Sequence, residues 1–403
     1  VHLIILTQYY PPEVGAPQAR LSELASRFVR AGHKVTVLTA MPNYPTGKIY
    51  KGYGGVFKQE QQNGVHIIRT AIYPTQKATF FHRLTNYFSF VLSSLIMGVI
   101  FLPAADYLLV ESPPLFLGIS GLILSRVKRA RLIFNVSDLW PESAVHMGII
   151  RPQSLSYRLS SLLEALCYRG AWLISGQSKS ILDNIKQRFP DKQFFHLSNG
   201  VDVAKFSKEQ QTAEARAQLA NDDECVVLYA GLHGLAQGLD QILDAAKLLH
   251  SKTRLRFVLI GDGPEKERLL ARAKHEHLAN ITFLPPRPAH DIPPLLASAD
   301  IALIPLATYI PGAVPSKVYE AMASAIPIVL VAEGEAADIV RDNRAGFVVK
   351  PGNIPELVDA LSKLQNDPDC RAELGSNGRA AAVQSYNRDK IVNRFIQYLQ
   401  ERL

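Results

Sequence analysis

Apolar runs of strand length alternate with amphipathic stretches along the chain, and this alternation constrains the fold more than any other feature. At the start, the apolar run Val1–Thr7 predicts a strand that is covered on both faces. The segment Gln8–Pro17, rich in Pro and Gly, predicts a loop, Ala19–Ala31 an amphipathic helix, and Lys34–Thr39 a second strand. Because strands joined through a helix run parallel, the sequence predicts a doubly wound α/β domain.

The same pattern continues on both sides of a turn-rich segment, Leu197–Phe206, which predicts two domains. We expect Rossmann-like domains over residues 1–199 and 200–385, and a C-terminal helix over 386–403 that crosses back to the first domain. Sheets of this kind bind ligands at the carboxyl ends of their strands, so we expect the ligand in a cleft between two facing domains. The further predicted strands are Tyr107–Glu111, Arg131–Val136, Trp172–Gly176, Cys225–Ala230, Arg256–Gly261, Ile281–Leu284, Ile301–Pro305 and Ile328–Val331.

Composition narrows the class of protein. The three cysteines are scattered without a CxxC pair, which argues against a disulfide framework or a zinc site and favours a reducing cytosol. The apolar start reads as a buried strand rather than as a signal peptide. The net charge is +8, and residues 1–199 carry 21 Lys and Arg against 10 Asp and Glu. Without an aromatic-basic recognition motif, this half is expected to meet an anionic membrane rather than nucleic acid.

The segment Gly312–Glu320 (GAVPSKVYE) carries the strongest chemical signal. A loop runs into a helix that begins near Ser316, and the first N–H groups of a helix lack internal partners and attract anions. A diphosphate would lie against the N–H groups near Ser316 and Lys317. Glu320, one turn further, would accept hydrogen bonds from a sugar diol. The alternative is an ordinary helix, with Ser316 as its N-cap and Glu320 as a solvated charge.

Two other loops place glycine directly after a strand. In Tyr229–Leu239 (YAGLHGLAQGL), Gly231 and Gly234 allow the backbone to approach a phosphate. The alternative for this loop is a plain turn from strand to helix. The segment Gly15–Ala16–Pro17 follows the first strand in the same way and lies at the carboxyl edge of the first predicted sheet.

Five segments together resemble glycosyltransferase family 4, over nearly the whole chain: YYPPEVGAPQARLSELASRFVRAGHKVTVLT, SNGVDVAKF, YAGLHGLAQGLD, LIGDGPEKERL and PSKVYEAMASAIPIVL. The chain is most similar to the bacterial branch that builds O-antigen and capsule repeats, including N-acetyl-L-fucosaminyltransferases. The resemblance implies the GT-B fold, a nucleotide diphosphate sugar as donor, no metal or other cofactor, and retention of the anomeric configuration.

The resemblance also implies roles for individual positions. Glu320 matches the second glutamate of the family's Glu-x7-Glu motif, which holds the donor ribose. The preceding loop, with Ala313 and Val314, would cradle the diphosphate and the sugar through backbone N–H groups. Gly15 and Ala16 match the loop of the first domain that approaches the diphosphate.

The sequence departs from the family pattern at charged positions. The first glutamate of the motif is Gly312, and the usual Arg and Lys of the second-domain phosphate loop are Leu232 and Gln237. These residues cannot neutralise a diphosphate, so another cation must compensate. The candidates are Lys317, Arg20 and His233, with a solvated helix charge as the alternative for Arg20 and a loop residue without contacts as that for His233.

Two residues outside these loops complete the predicted site. Asp138, in the segment NVSDLWPE after a strand, is the candidate for orienting or deprotonating the acceptor hydroxyl, and its alternative role is to cap the following turn. Glu142 is a weaker choice. Arg287 falls where the family contacts the nucleotide base through its backbone.

The segment Asn86–Ala105 has no charged residue over 20 positions. Its length permits a membrane span, but a span would divide one parallel sheet between two sides of a bilayer. Two interpretations remain: a fully buried helix, or a helix that dips into the membrane interface. The basic cluster Arg126–Arg131 would favour the second interpretation on anionic lipid.

We therefore expect an enzyme that transfers a sugar from a UDP-sugar to a saccharide on polyprenyl diphosphate. An N-acetylated amino sugar is one candidate for the transferred sugar. The enzyme would act at the inner, cytoplasmic face of the cell membrane as a peripheral protein. Two alternatives stay open at this point: a sugar-nucleotide epimerase of the same architecture, and a non-catalytic assembly subunit.

Overall fold

The computed structural model describes residues 1–75, 80–146, 148, 150–221, 223–250 and 254–403. Within this part the chain divides into two compact units. The first unit comprises Val1–Ser198 together with Val392–Leu403, and the second comprises Asn199–Ile391.

The first unit is built on an eight-stranded sheet in the order β3-β4-β2-β1-β5-β6-β7-β8. The strands pair in parallel except for β3, which is antiparallel to β4. The order reverses at β1, where β2 and β5 lie on opposite sides. The strands are β1 (His2–Leu6), β2 (Lys34–Ala40), β3 (Phe57–Gln62), β4 (Val65–Thr70), β5 (Tyr107–Ser112), β6 (Arg131–Val136), β7 (Leu173–Gly176) and β8 (Gln193–His196).

Helices cover this sheet. They are α1 (Ala16–Arg30), α2 (Phe80–Phe101), α3 (Leu117–Val127), α4 (Glu142–His146), α5 (Leu155–Gly170) and α6 (Lys179–Arg188). The apolar segment predicted over residues 86–105 is α2, which begins earlier and ends earlier. It is long and apolar enough to cross a membrane, but only 28% of its window Leu84–Phe101 is buried. The interpretation as a fully buried helix is therefore wrong, because one face of α2 is open to solvent.

The second unit contains a parallel six-stranded sheet in the order β11-β10-β9-β12-β13-β14. Its strands are β9 (Cys225–Ala230), β10 (Leu255–Ile260), β11 (Ile281–Leu284), β12 (Ile301–Pro305), β13 (Ile328–Val331) and β14 (Gly346–Val349). Its helices are α7 (Ala213–Leu219), α8 (Asp240–Leu249), α9 (Lys266–His275), α10 (Ile292–Ala297), α11 (Ser316–Ala323), α12 (Glu335–Asp342), α13 (Ile354–Asn366) and α14 (Pro368–Ser385). Every strand of this sheet is flanked by apolar clusters on both faces, as its apolar runs require.

The last helix, α15 (Arg388–Gln400), begins in the second unit and belongs to the first from Val392 onwards. Phe395 packs edge-on against Phe28 of α1, with ring centroids 6.0 Å apart. The Tyr107 hydroxyl donates a hydrogen bond of 2.7 Å to the carbonyl oxygen of Leu399. The end of the chain is thereby part of the first unit's core.

Candidate active site

The loops after β9 and β12 and the start of α11 lie at the carboxyl edge of the second unit's sheet. They meet at Gly231 and Lys317. A Cβ atom on Gly231 would lie 2.5 Å from Cε and 2.7 Å from Nζ of Lys317, so a side chain at position 231 would displace the end of the lysine. These two residues belong to separate motifs, 86 positions apart in the sequence, and the fold brings them into contact.

The Lys317 ammonium has no hydrogen bond or ion pair with any of the residues that the structure describes. Its Nζ lies 5.7 Å from the ring centroid of Tyr229, whose hydroxyl donates to the carbonyl oxygen of Leu232 at 2.6 Å. Burial lowers the pKa of Lys317, and the nearby Glu320 carboxylate offsets part of that effect. A partly buried cation without an anionic partner is suited to bind an anion from outside.

The N-terminus of α11 carries no side-chain cap. Its N-cap is Pro315, and no side chain accepts a hydrogen bond from the first N–H groups. The Ser316 hydroxyl instead donates to Oε1 of Glu320 at 3.1 Å, so the prediction of Ser316 as an ordinary N-cap is wrong. The uncapped N–H groups and the Lys317 ammonium therefore present positive charge at one place.

The loop before α11 explains one departure from the family pattern. Gly312, where the family has its first motif glutamate, has φ 75°, a left-handed conformation that a glutamate adopts only at a cost of about 1–2 kcal/mol. Ala313 follows and donates its N–H to the carbonyl oxygen of Ile310 at 3.1 Å, and Val314 packs on the core. The amide of Ala313 is therefore already engaged within the loop.

His233 cannot supply the missing cation. The residue is fully buried, and neither ring nitrogen has a partner among the described residues. Burial and the neighbouring Lys266 ammonium lower the pKa of its imidazole, while Asp262 raises it less. Since burial and Lys266 outweigh Asp262, the imidazole favours its neutral form, which contradicts the prediction of His233 as a positive charge. Its ring contacts with Tyr229 and Phe283 contradict the alternative of a loop residue without contacts.

The remaining residues of the phosphate loop line the same edge. Gly234 is buried and close to Gln237, whose Oε1 would lie 2.8 Å from a Cβ at position 234. Leu232, at the position of the family's arginine, is 57% exposed. Arg287, in the loop after β11, is exposed and donates to Oε1 of Gln218 at 3.3 Å. Its predicted backbone contact with a base stays a prediction.

The first unit has a second uncapped helix at its own carboxyl edge. The N-cap of α1 is Gly15, no side chain caps the helix, and Ala16 is exposed. Gly15 is extended (φ 170°), and a Cβ there would lie 2.5 Å from Oε1 of Gln18. Glycine therefore keeps this N-terminus open, as the predicted approach to a diphosphate requires.

Arg20, one turn into α1, is already neutralised. Its Nη2 forms an ion pair with Oε1 of Glu111, and it donates to the Ser137 hydroxyl at 2.9 Å. Glu111 is 2% exposed and also accepts from Asn135 at 2.7 Å. The prediction of Arg20 as the compensating cation is corrected, because its charge is used within the first unit. So is the alternative of a solvated charge, because the side chain is only 14% exposed.

Asp138 lies at the carboxyl end of β6, beside this ion pair. Its Oδ2 accepts from the Ser143 hydroxyl at 2.9 Å. Burial raises the pKa of its carboxyl, against the hydrogen bonds from Ser143 and from the Leu139 N–H. A carboxylate with a raised pKa can exchange a proton with an acceptor hydroxyl, while the bond to Ser143 also serves the turn before α4. Glu142 is the first residue of that helix.

Sequence reasoning missed Glu13, which ties two loops of this edge together. The side chain is 3% exposed and accepts N–H bonds of 2.8 Å from both Asn43 and Tyr44, and one of 3.3 Å from Tyr10. Burial raises its pKa, against these hydrogen bonds. The only signal in the sequence was a lone glutamate inside a Pro- and Gly-rich loop.

Two doubly wound sheets in one chain, each with an uncapped helix N-terminus at its carboxyl edge, define the GT-B class of fold. Residues 15–200 match the family described as glycosyl transferase 4-like domain, and residues 210–381 match glycosyl transferases group 1. The chain belongs to the glycosyltransferases that combine these two domains. It is a transferase, which decides against the epimerase and the non-catalytic subunit.

Two curated relatives resemble the chain along most of its length. A colanic acid biosynthesis glycosyl transferase of Escherichia coli K12, WcaI, is 25% identical over 73% of this chain and 74% of its own length. The glycosyltransferase WbjE of Pseudomonas aeruginosa is 26% identical over 63% of this chain and 64% of its own length.

Solved structures share the fold. Sucrose-phosphate synthase from Thermosynechococcus elongatus superposes with a TM-score of 0.79 at 18% identity, covering 99% of this chain and 98% of that chain. HepE from Anabaena, in complex with UDP and glucose, superposes with a TM-score of 0.73 at 18% identity, covering 99% of both chains.

Proposed function

We propose that this chain transfers a sugar from a UDP-sugar to a saccharide on polyprenyl diphosphate, with retention of configuration and without a metal, in the synthesis of a surface polysaccharide such as O-antigen or capsule. The unpaired Lys317 ammonium beside Gly231, at the uncapped start of α11, carries the donor half of this proposal. The names of the relatives support the polysaccharide, and the HepE complex supports UDP.

In the proposed reaction, the bond between the anomeric carbon and the β-phosphate oxygen of UDP breaks, and a bond to the acceptor oxygen forms on the same face of the sugar. Negative charge grows on the departing diphosphate, where the N–H groups of α11 and Lys317 would stabilise it. The departing phosphate takes the proton of the acceptor hydroxyl. In this scheme the role of Asp138 is to orient the acceptor hydroxyl, and Glu320 holds the ribose of the donor.

The proposed acceptor, a saccharide on polyprenyl diphosphate, implies that the protein acts at the inner face of the cell membrane. There the lipid-linked saccharide would meet a cytoplasmic UDP-sugar. The basic balance of residues 1–199 supports a peripheral association with anionic lipid. The identity of the donated sugar lies in loop shapes, and an N-acetylated amino sugar is one of the donors to test.

The test is turnover of radiolabelled UDP-sugars, N-acetylated ones included, on a polyprenyl-diphosphate sugar in detergent with a chelator present. We expect a labelled lipid product with the donor's anomeric configuration by NMR. Absence of product with every donor would refute the proposed transfer. Dependence of product formation on added metal would refute the proposed reaction without a metal.

Glu320→Ala tests the ribose assignment, with Glu267→Ala on the exposed face of α9 as the matched control. Loss of the paired hydrogen bonds to a ribose diol should weaken UDP binding by about tenfold or more. Unchanged affinity of Glu320→Ala for UDP would remove the assignment.

A further inference from the structure

Three neighbouring helices of the first unit expose large apolar side chains on their outer faces. Thirteen of the 24 large apolar residues that are exposed in the described part of the chain lie on α2, α3 and α5. On α5 they are Leu155, Leu159, Leu162 and Leu166, which are 72%, 57%, 55% and 48% exposed. Their spacing places them along one face of the helix.

Several uncharged polar residues and the one carboxylate of the same helices point inward. On α5 the buried face includes Ser160 and Glu164. On α2 the buried Asn86 side chain accepts a hydrogen bond from Gln8 at 2.9 Å and donates one to the Tyr73 carbonyl at 2.7 Å. A helix that faced only water would place these groups outward and its leucines inward.

Small residues form the contacts between these helices. The Ser94 and Ser120 hydroxyls hydrogen-bond each other at 3.1 Å across α2 and α3. A Cβ on Gly98 of α2 would lie 2.8 Å from Leu124 of α3. Large apolar side chains such as Leu92 (60% exposed) and Ile100 (62%) are left on the outside. Small residues between helices and large apolar ones outside are the arrangement that favours a lipid environment.

Among the described residues, the exposed charges on the three helices themselves are all positive. Glu164 is the one carboxylate in the sequence of the three helices, and it is buried in a bidentate ion pair with Arg188, at 2.8 Å for both bonds. The exposed charges on or directly after the helices are cationic: Arg126, Arg129, Arg158 and Arg169. An apolar surface bordered by cations is complementary to a bilayer that contains anionic lipid.

We infer that the outer face of α2, α3 and α5 is a single docking surface that inserts its apolar side chains into an anionic bilayer. This inference deepens the proposed function, on which it rests, by adding the leucine row of α5 to the apolar segment α2. The strands β4 and β5 before and after α2 belong to one sheet, so the helix lies in the interface and does not span it.

Binding to vesicles tests the surface without donor or acceptor. The full chain is sedimented with vesicles of phosphatidylcholine alone or mixed with phosphatidylglycerol, at low and raised salt. We expect binding to the mixed vesicles, weakened by salt. Leu159→Ser with Leu162→Ser should lower the partition coefficient by about tenfold or more, since each exposed leucine loses its transfer to lipid. Leu248→Ser with Leu270→Ser, at exposed positions of the second unit, should leave it unchanged.

A second readout guards against a folding defect in the double variant. The fluorescence emission of the Leu159→Trp chain should shift to the blue when mixed vesicles are added, and it should not shift in buffer alone. Equal binding by the serine variant and the native chain would overturn the inference, and so would a dimer in sedimentation velocity that the serine variant dissociates. Sugar transfer in detergent without vesicle binding would refute the docking surface alone. Vesicle binding without transfer to any acceptor would refute the proposed function alone.

Discussion

Replacing Lys317 with methionine removes the charge of the proposed donor site and keeps most of the volume of the side chain. The methionine retains an unbranched apolar stem against Gly231 and Tyr229, so the packing of α11 should persist. Two effects of opposite sign follow. The free protein loses an unpaired, partly buried ammonium, and the complex loses the partner of the diphosphate.

The structure sets the size of both effects. A hydrogen bond between charged groups contributes about 1.5–3 kcal/mol, so UDP affinity should fall by roughly ten- to a hundredfold. An unsatisfied buried polar group costs about 1–3 kcal/mol, and the lower end applies because Lys317 is only partly buried. In the absence of UDP, Lys317→Met should therefore raise the melting temperature of the second unit within the full chain by about 2–4 °C.

The pH dependence has a definite sign. Because the native pKa of Lys317 is lowered, between that value and its ordinary 10.5 the unfolded chain holds a proton that the native chain has released. The native protein should therefore gain stability as pH rises through this window, and Lys317→Met should lack that gain.

Calorimetric titration with UDP and thermal unfolding with and without UDP measure these effects. The control is Lys247→Met in the last turn of α8, at the opposite edge of the sheet, where the lysine is 60% exposed. It removes the same charge and should change neither quantity by much. UDP binding by Lys317→Met as tight as in the native chain, or a less stable free protein, would refute the reasoning.

Two further substitutions test buried groups. His233→Leu removes two unpartnered ring nitrogens and should raise the free energy of unfolding by about 1–3 kcal/mol in urea titrations. Because the native pKa of His233 lies below its ordinary 6.5, native stability should fall as pH drops through 6.5, and the variant should lose that decline; an unchanged pH profile would contradict the assignment. Glu111→Gln breaks the buried pair with Arg20 and should destabilise the first unit by about 3–5 kcal/mol. The control Glu23→Gln, in the more exposed pair with Arg27, should cost less than about 1 kcal/mol. Equal losses in the two variants would show that the buried pair contributes no more stability than the exposed one.

The sequence predicted many of the elements whose pattern is local, although it missed the apolar strands β4 and β14. The apolar runs that become β6, β9, β11, β12 and β13 were bounded to the residue, because a strand covered on both faces must be apolar throughout. The edge strand β3 (FKQEQQ) was not predicted, since a polar segment with mostly exposed or half-buried side chains carries no such signal. The helix α2 ends at Phe101 rather than at residue 105, because Pro103 disfavours helical geometry before it.

The candidate site depended on contacts that local patterns do not contain. Arg20 and Glu111 are separated by 91 positions, so the neutralisation of the arginine could not be read from the helix that carries it. His233 precedes Gly234 in a loop, where the sequence allowed a residue without contacts, yet Tyr229 and Phe283 both lie with ring centroids 6.0 Å from its imidazole. Sequence pattern identifies which residue types are present at a sheet edge, and the fold decides which of them keep a free charge.

The departures from the family pattern compensate one another. A glutamate at position 312 would place a carboxylate five residues before Lys317, and Gly312 with φ 75° omits it. The loop after β9 lacks its cations, with an exposed leucine at position 232. With the acid and the cations absent, the Lys317 ammonium remains at the start of α11, and Gly231 keeps the space in which it lies. In the proposed donor site, this ammonium would act on the diphosphate together with the uncapped N–H groups at the start of α11. No acid of the described residues pairs with this ammonium, and in the proposed function the substrate supplies the anion that binds it.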